Sequence, residues 1–285
     1  MLRPTTLCCL LAAFAAFPTL PAHAAPLDLK IMSFNVRYGT AKDGENAWEK
    51  RKEVLTRAIQ SEDPDLLGLQ ECLLFQAGYI VSQLPNYQWL GMGREATGGG
   101  ETTVILYKKE HFSPLKTGTF WLSETPEVPG SKSWDSSLPR IATWARFLHG
   151  PSGATFYHFN THFDHRGQEA RKQSGILLAA KAASIVQEKE PVLLTGDFNS
   201  TDDESPWKAL SDGGFKDAWR TAPQLSGTQG TFGGFGAPKE DGARIDWVLY
   251  MGDVTAKRCA SLGYSENGRF PSDHVPVVAD LTLHP

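Results

Sequence analysis

The chain has 285 residues, 41% of them hydrophobic, and a formal charge of −4. That is enough apolar material for one large core. Past residue 24 the balance is 27 basic against 32 acidic residues. With no Lys/Arg run in the sequence, this balance disfavours a partner such as long nucleic acid, which usually meets a basic surface.

At the N-terminus Arg3 precedes an apolar run over 7–17, then Pro18, Pro21 and Ala22-His23-Ala24. This has the form of a cleavable secretory signal covering 1–24, with the cut after Ala24. The run falls short of the roughly 20 apolar residues that a membrane helix needs. The expectation is export to the periplasm or beyond, with no membrane anchor after processing. Cys8 and Cys9 stand at the start of the run, where a lipid-modified cysteine would not lie, and Cys72 and Cys259 define no disulfide framework. With no repeat and no low-complexity linker, 25–285 reads as one domain.

Leu27, Leu29 and Ile31 alternate with Asp28 and Lys30, which predicts a half-buried strand to about residue 37. Asn46 with Glu49 three residues on has the form of a capped helix start, and Val54, Leu55, Ala58 and Ile59 give the helical stripe that carries it to about residue 61. A strand over 66–70 and a helix over 73–84 follow. Further strands are expected at 87–92, 102–107, 115–121, 140–149 and 155–161, the last two joined by the Gly150-Pro151-Ser152-Gly153 turn. Residues 123–138, rich in Pro, Ser and Gly and carrying Trp134, read as a long ordered loop. Helices over 168–187 and 206–211, a strand over 192–195, a Gly-rich loop over 228–239 and strands at 245–250, 255–260 and 275–283 complete the chain. Many strands with few helices suggest two stacked sheets with helices outside.

Polar groups mark the strand ends. Glu71 keeps the parity of Leu67 and Leu69, Asn35 that of Leu29 and Ile31, Asp197 that of Leu193 and Thr195, and His162 that of Phe156, while Asp246 sits inside 245–250. Isolated buried carboxylates are expensive unless paired or bound to metal. A single such residue is more often a satisfied core group. Several together point to one polar site, with a cation to neutralise Glu71, Asp197, Asp246 and Asp273.

Six blocks stand in order: Ser-Phe-Asn-Val-Arg at 33–37, Leu-Gln-Glu at 69–71, Asn-Thr-His-Phe-Asp-His at 160–165, Gly-Asp-Phe-Asn at 196–199, Arg-Ile-Asp-Trp-Val at 244–248 and Ser-Asp-His at 272–274. In this order and spacing the chain resembles the endonuclease/exonuclease/phosphatase family from Asn35 to His274. The resemblance implies a four-layered αββα sandwich, DNase I-like, in which two stacked mixed β-sheets are flanked by helices. It implies Glu71 as principal metal ligand, with Asn35 and Asp273, in an oxygen-rich site that suits Mg²⁺ or Mn²⁺ better than Zn²⁺. His162 and Asn199 would hold phosphoryl oxygens, Asp197 would orient water, and His274 steered by Asp246 would complete the acid/base group.

Two positions depart from the nuclease branch. Arg37 stands where DNA-repair members carry an acidic residue, and no counterpart of their phosphate-contacting Tyr is evident. Arg140 is the candidate to take over phosphate contact; for both arginines a structural ion pair is the equal alternative. His165, beside Asp164 and Arg166, reads as a surface or loop-packing residue more readily than as a metal ligand. Trp48, Trp121, Trp134 and the 231–235 segment could line a pocket for a sugar or base, with core the favoured place for Trp121. The blocks at 120–126 and 132–135 resemble a secreted bacterial and fungal branch of metal-dependent hydrolases.

The expectation is therefore a secreted metal-dependent phosphoesterase acting on a small phosphorylated substrate. A secreted nuclease is the alternative, and a non-catalytic binding module on the same fold the weaker one. No exposed amphipathic segment suggests a grip on lipid.

Overall fold

The computed structural model describes residues 25–186 and 189–284, so the expected signal segment and its two cysteines lie outside the described residues. In chain order, β1 (Leu27–Asn35), α1 (Trp48–Glu62), β2 (Leu66–Gln70), α2 (Leu74–Gln83), β3 (Tyr87–Leu90), β4 (Ile105–Lys108), β5 (Phe112–Trp121), β6 (Ile141–His149) and β7 (Thr155–His162) form the first half. The second half holds α3 (Gln168–Ile185), β8 (Val192–Asp197), α4 (Ser205–Asp212), β9 (Lys216–Asp217), α5 (Ala218–Thr221), β10 (Gln224–Ser226), β11 (Asp246–Met251), β12 (Val254–Ser261) and β13 (Val277–Leu283).

These strands make two mixed sheets. The first runs β10-β12-β13-β1-β2-β4-β3 and the second β5-β6-β7-β8-β11-β9. Alternation along the strands explains why the sheets stack, since each presents an apolar face on both sides. Leu29, Ile31, Phe147, Phe156, Leu193 and Val248 fill the space between the sheets. Met32, Phe34, Leu67 and Leu69 face outward under Leu55 and Ile59 of α1 and Ile80 of α2. Tyr157, Phe159, Leu194 and Trp247 do the same under Leu178 of α3 and Leu210 of α4. Three apolar layers separate four layers of structure, the αββα sandwich expected.

Each sheet holds a long parallel pair, β1 with β2 and β7 with β8, and the short β10 lies parallel to β12 at the far edge of the first. A parallel pair needs a crossover, and α1 and α3 supply them. The C-terminal ends of both pairs therefore come out at one edge. In the register Asn35 lies opposite Gln70, His162 opposite Asp197, and Asp197 opposite Asp246 of the antiparallel β11.

Some expectations are corrected. Asn46 does not cap α1; it ends a short 3-10 turn, and Ala47 is the cap residue with no side-chain bond. The buried Arg51 instead takes the Asn46 carbonyl at 2.9 Å. β9, α5 and β10 were not expected, because elements of 2, 4 and 3 residues carry no readable period. Cys72 and Cys259 are both buried free thiols. Trp121 is in the core, as expected, and so is Trp48. Among the described residues no helix is long and apolar enough to cross a membrane.

Candidate active site

At the edge where the parallel pairs end, a cleft of about 640 Å³ is lined by Arg37, Glu71, Arg140, His162, Asp197, Asn199, Asp273 and His274. Asp246 lies behind it, fully buried. All the residues expected to form one site thus meet at this edge, although sequence separates them by up to 239 positions.

Parity explains most of this convergence but fails at Glu71. Asn35, His162, Asp197 and Asp246 continue the inward faces that carry Ile31, Phe156, Leu193 and Val248. Leu67 and Leu69, however, face the helices. Glu71 follows the end of β2 with φ 55°, and this left-handed turn breaks the alternation and brings its carboxylate round to the site. Arg37 (φ 54°) and Asn199 (φ 47°) are left-handed as well, each two residues past a site residue. In both cases that residue makes a short side-chain turn: Arg37 N donates to Asn35 Oδ1 at 2.9 Å, and Asn199 N donates to Asp197 Oδ1 at 2.9 Å.

Asp197 is central. Its Oδ2 accepts from Asn35 Nδ2 at 2.9 Å and lies 3.5 Å from His162 Nε2 and 3.8 Å from His274 Nε2. Burial and the neighbouring Asp246 push its carboxyl up to about 7, although His274 and Asn35 act the other way. His274 donates Nδ1–H to Asp246 Oδ2 at 2.8 Å. Burial alone would lower its basicity, but Asp246 and Asp197 outweigh that and raise it to about 10, so the ring is an imidazolium at neutral pH.

His162 has the opposite state. Arg140 Nη1, which can only donate, lies 2.9 Å from His162 Nδ1, so Nδ1 accepts and the ring proton sits on Nε2. Burial, reinforced by the Arg140 and Arg94 charges, holds His162 well below the usual histidine range and keeps it neutral. Asn199 Nδ2 stands 3.1 Å from His162 Nε2 and donates to the Phe163 carbonyl at 3.1 Å.

The two arginines differ. Arg37 is held by Asp43 through Nε and Nη2 at 3.0 and 2.9 Å, which realises the ion-pair alternative. Arg140 is buried, bonded also to His165 Nδ1 at 2.9 Å, and lies 3.5 Å from Asp164. Although burial opposes it, amide donors of Gly167 and Arg166 and the Ser137 hydroxyl hold the Asp164 carboxyl well below the usual range. His165, exposed in the cleft wall, thus meets Arg140 through its ring nitrogen.

Glu71 and Asp273 fit a hard cation. Both line the cleft, and both lie beside the Arg37 guanidinium at 3.9 and 3.8 Å, beyond hydrogen-bond reach. Burial raises the Asp273 carboxyl, and Glu71 adds to that rise. Two carboxylates at a buried edge, with the Arg37 guanidinium engaged by Asp43, present the oxygen donors that Mg²⁺ or Mn²⁺ takes. Asn35 bridges Glu71 to Asp197: its Nδ2 donates to Glu71 Oε1 at 3.2 Å and to Asp197 Oδ2 at 2.9 Å, while its Oδ1 accepts from Arg37 N. A second group, Asp197, Asp246 and His274, keeps its ligand atoms within 4.8 Å of one another. There the 2.8 Å Asp246–His274 contact is a hydrogen-bonded acid–imidazole pair rather than two open ligands.

Arg94 and Glu101 also line the cleft and escaped the sequence reading. They form a bidentate pair, Nη1–Oε2 2.7 Å and Nη2–Oε1 2.9 Å, beside His162. Their segment, 93–101, is a Gly-rich hairpin without period, and its only signal was a carboxylate directly ahead of the apolar run at 104–107.

Comparison with known proteins agrees with this geometry. The model of the endonuclease/exonuclease/phosphatase family matches residues 32–274. A family protein from Bacteroides vulgatus is 37% identical, with a TM-score of 0.85 over 90% of this chain and 99% of its own. Another from Bacteroides thetaiotaomicron is 34% identical, with a TM-score of 0.86 over 91% and 96%. A mannosyl-6-phosphatase of Bacteroides thetaiotaomicron is 34% identical, with a TM-score of 0.83 over 89% and 99%. With its paired sheets and the acid–imidazole site at their common edge, this chain belongs to the endonuclease/exonuclease/phosphatase family of phosphoric-ester hydrolases.

Proposed function

We propose that the enzyme hydrolyses small phosphate mono- or diesters with Mg²⁺ or Mn²⁺, outside the cytoplasm. The observation that carries this reading is the grouping of the neutral His162, the Asn199 amide and the cationic His274 around the Asp197 carboxylate. A phosphate ester repels an anionic nucleophile, so donors must offset its charge while a base aligns water. The relative named as a mannosyl-6-phosphatase favours a monoester of modest size, as does the acidic balance of the chain. The export signal read at 1–24 and the secreted-branch blocks at 120–126 and 132–135 favour a periplasmic or extracellular site of action.

In this reading Glu71 and Asp273 hold the cation, with Asn35 fixing Glu71. When bound there, the cation would offset the negative charge on the phosphoryl oxygens. His162 donates Nε2–H and Asn199 its Nδ2–H to those oxygens. Asp197, anchored by Asn35 and Asn199, takes the proton of the attacking water on its carboxylate. His274, kept protonated by Asp246, stabilises the charge that builds on the ester. Arg140 sets the His162 tautomer and stands ready as a phosphate contact.

Phosphate release from a panel of sugar phosphates, nucleotides and simple diesters should need added Mg²⁺ or Mn²⁺ and stop in chelator. Glu71→Ala and His274→Ala should each lower kcat/KM by a factor on the order of a hundred to a thousand. Full activity in chelator would overturn the reading, and faster cleavage of plasmid DNA than of any small ester would replace it with the nuclease alternative.

A further inference from the structure

The hydrolytic groups account for the floor of the cleft but not for its two flanks. On the His162 flank stands the Arg94–Glu101 pair, with side chains only 9% and 15% exposed. A carboxylate this close to a phosphate site repels the substrate's own anion, so phosphate binding does not explain it. The bidentate bonds engage each carboxylate oxygen once and leave each a further acceptor position. Arg94 Nε is buried, 3.8 Å from Glu95 Oε1, so the pair meets the cleft through its carboxylate. Acceptor positions held in fixed geometry suit hydroxyl groups. The scaffold holding them is rigid: Arg94 N donates to the Glu101 carbonyl at 3.0 Å, and Trp121 Nε1 donates to the Arg94 carbonyl at 2.7 Å.

On the His274 flank stands Phe232, 53% exposed although it sits in the cleft wall. Its backbone is pinned. Phe232 bridges to His274 as an isolated strand pair, Val275 N donates to the Thr231 carbonyl at 2.9 Å, and Gly233 N and Gly234 N donate to the Asp273 carbonyl at 2.8 and 3.0 Å. Its ring meets His274 edge-on at 5.1 Å, which leaves a face open. An ordered loop that holds an apolar ring in water beside a polar cleft suits a ligand with one C–H-rich face.

The two flanks adjoin imidazoles that both approach Asp197 Oδ2, His162 at 3.5 Å and His274 at 3.8 Å. We propose that Phe232 and the Arg94–Glu101 pair bind the leaving group of the ester, and that this group is a polyhydroxylated ring of hexose size. Phe232 packs on its C–H face while Glu101, fixed by Arg94, accepts from hydroxyls. The proposal rests on the small-ester reading above and adds the class of leaving group.

The test is calorimetric titration in chelator, where nothing turns over, with mannose 6-phosphate and with ethyl phosphate as the probe lacking the ring. Wild type should bind the hexose phosphate at least about tenfold more tightly, the scale of one hydroxyl–carboxylate hydrogen bond or one aromatic contact. The exposed Phe232→Ala, which carries little folding risk, should lose most of that preference, Phe232→Trp should keep it, and Glu101→Gln should reduce it. Ethyl phosphate affinity should shift less than about threefold throughout. Equal loss for both probes, the result if Phe232 only shields His274 from water, overturns the proposal. So does a wild type that prefers neither probe, or one that binds adenosine 5′-monophosphate more tightly than the hexose phosphate. Failure of turnover with added cation, while the binding preference stands, would fall on the proposed function instead.

Discussion

His162 and His274 have the same side chain, flank the same carboxylate and carry different charges, because one faces a guanidinium and the other an aspartate. This division follows from partners far apart in the chain, Arg140 just ahead of β6 and Asp246 at the start of β11, and it dictates a pH profile. Activity should rise as Asp197 ionises, through about 7, and fall as His274 loses its proton near about 10. The sign at the upper limb is that of a cationic acid whose proton is held by Asp246. In Asp246→Asn that hold is gone, so the falling limb should move toward neutral pH, with a drop in kcat on the order of a hundredfold; an upper limb left in place would assign it to another group. At this scale the sequence was partly legible. Asp246 and His274 were readable because each stood in a short recognisable block. The Arg140–His162 contact was not, since nothing in the sequence indicates which nitrogen an arginine will occupy.

Strands were legible because β6, β7 and β8 are short runs rich in apolar, aromatic and β-branched residues, and their ends were placed within a residue or two. The left-handed turn after β2 was not, because Glu71 has no glycine or asparagine signal for it, and parity alone sent its side chain to the helix side. Nor was the reason for the glycine in β2 visible. A Cβ at Gly68 would lie 2.0 Å from Thr195 Oγ1 and 2.5 Å from Asn160 Oδ1. Gly68 therefore lets β2 approach a polar patch between the sheets, where Gln70 Nε2 donates to Asn160 Oδ1 at 2.7 Å and His158 Nε2 meets Thr195 Oγ1 at 2.9 Å. Gly68→Ala should destabilise the fold by about 1–3 kcal/mol through overpacking. A thermal melt would register this, and a melt equal to wild type would mean that the sheets separate at no cost. Arg51 works at the same scale. Buried without an ion-pair partner, it donates to the carbonyls of Val36, Arg37 and Pro271, which ties the end of β1 to the loop that carries Asp273.

Across the whole molecule the division of labour is by sheet. The β1–β2 sheet, with the loop leading to β13, supplies Asn35, Glu71, Asp273 and His274, while the β7–β8–β11 sheet supplies His162, Asp197, Asn199 and Asp246. Two bonds cross between them at the site, Asn35 to Asp197 and His274 to Asp246. Layering could be read from the pattern of apolar runs, because each sheet needs a partner on both faces. The distribution of the site between sheets could not, since strand order is set by contacts far apart in the chain.

Because neither sheet holds a whole site, occupancy and folding are thermodynamically linked. A cation seated between Glu71 and Asp273, together with an oxyanion on His162 and Asn199, would be recognised only when the halves are docked, and by mass action would stabilise the native state by about 2.7 kcal/mol at a concentration a hundredfold above its dissociation constant. The midpoint of unfolding should therefore climb with Mn²⁺ and inorganic phosphate supplied together and lose that increment in Glu71→Ala. A midpoint indifferent to both would mean that the docked sheets hold neither in preference to the open chain, and the enzyme's resistance to heat would then owe nothing to its ligands.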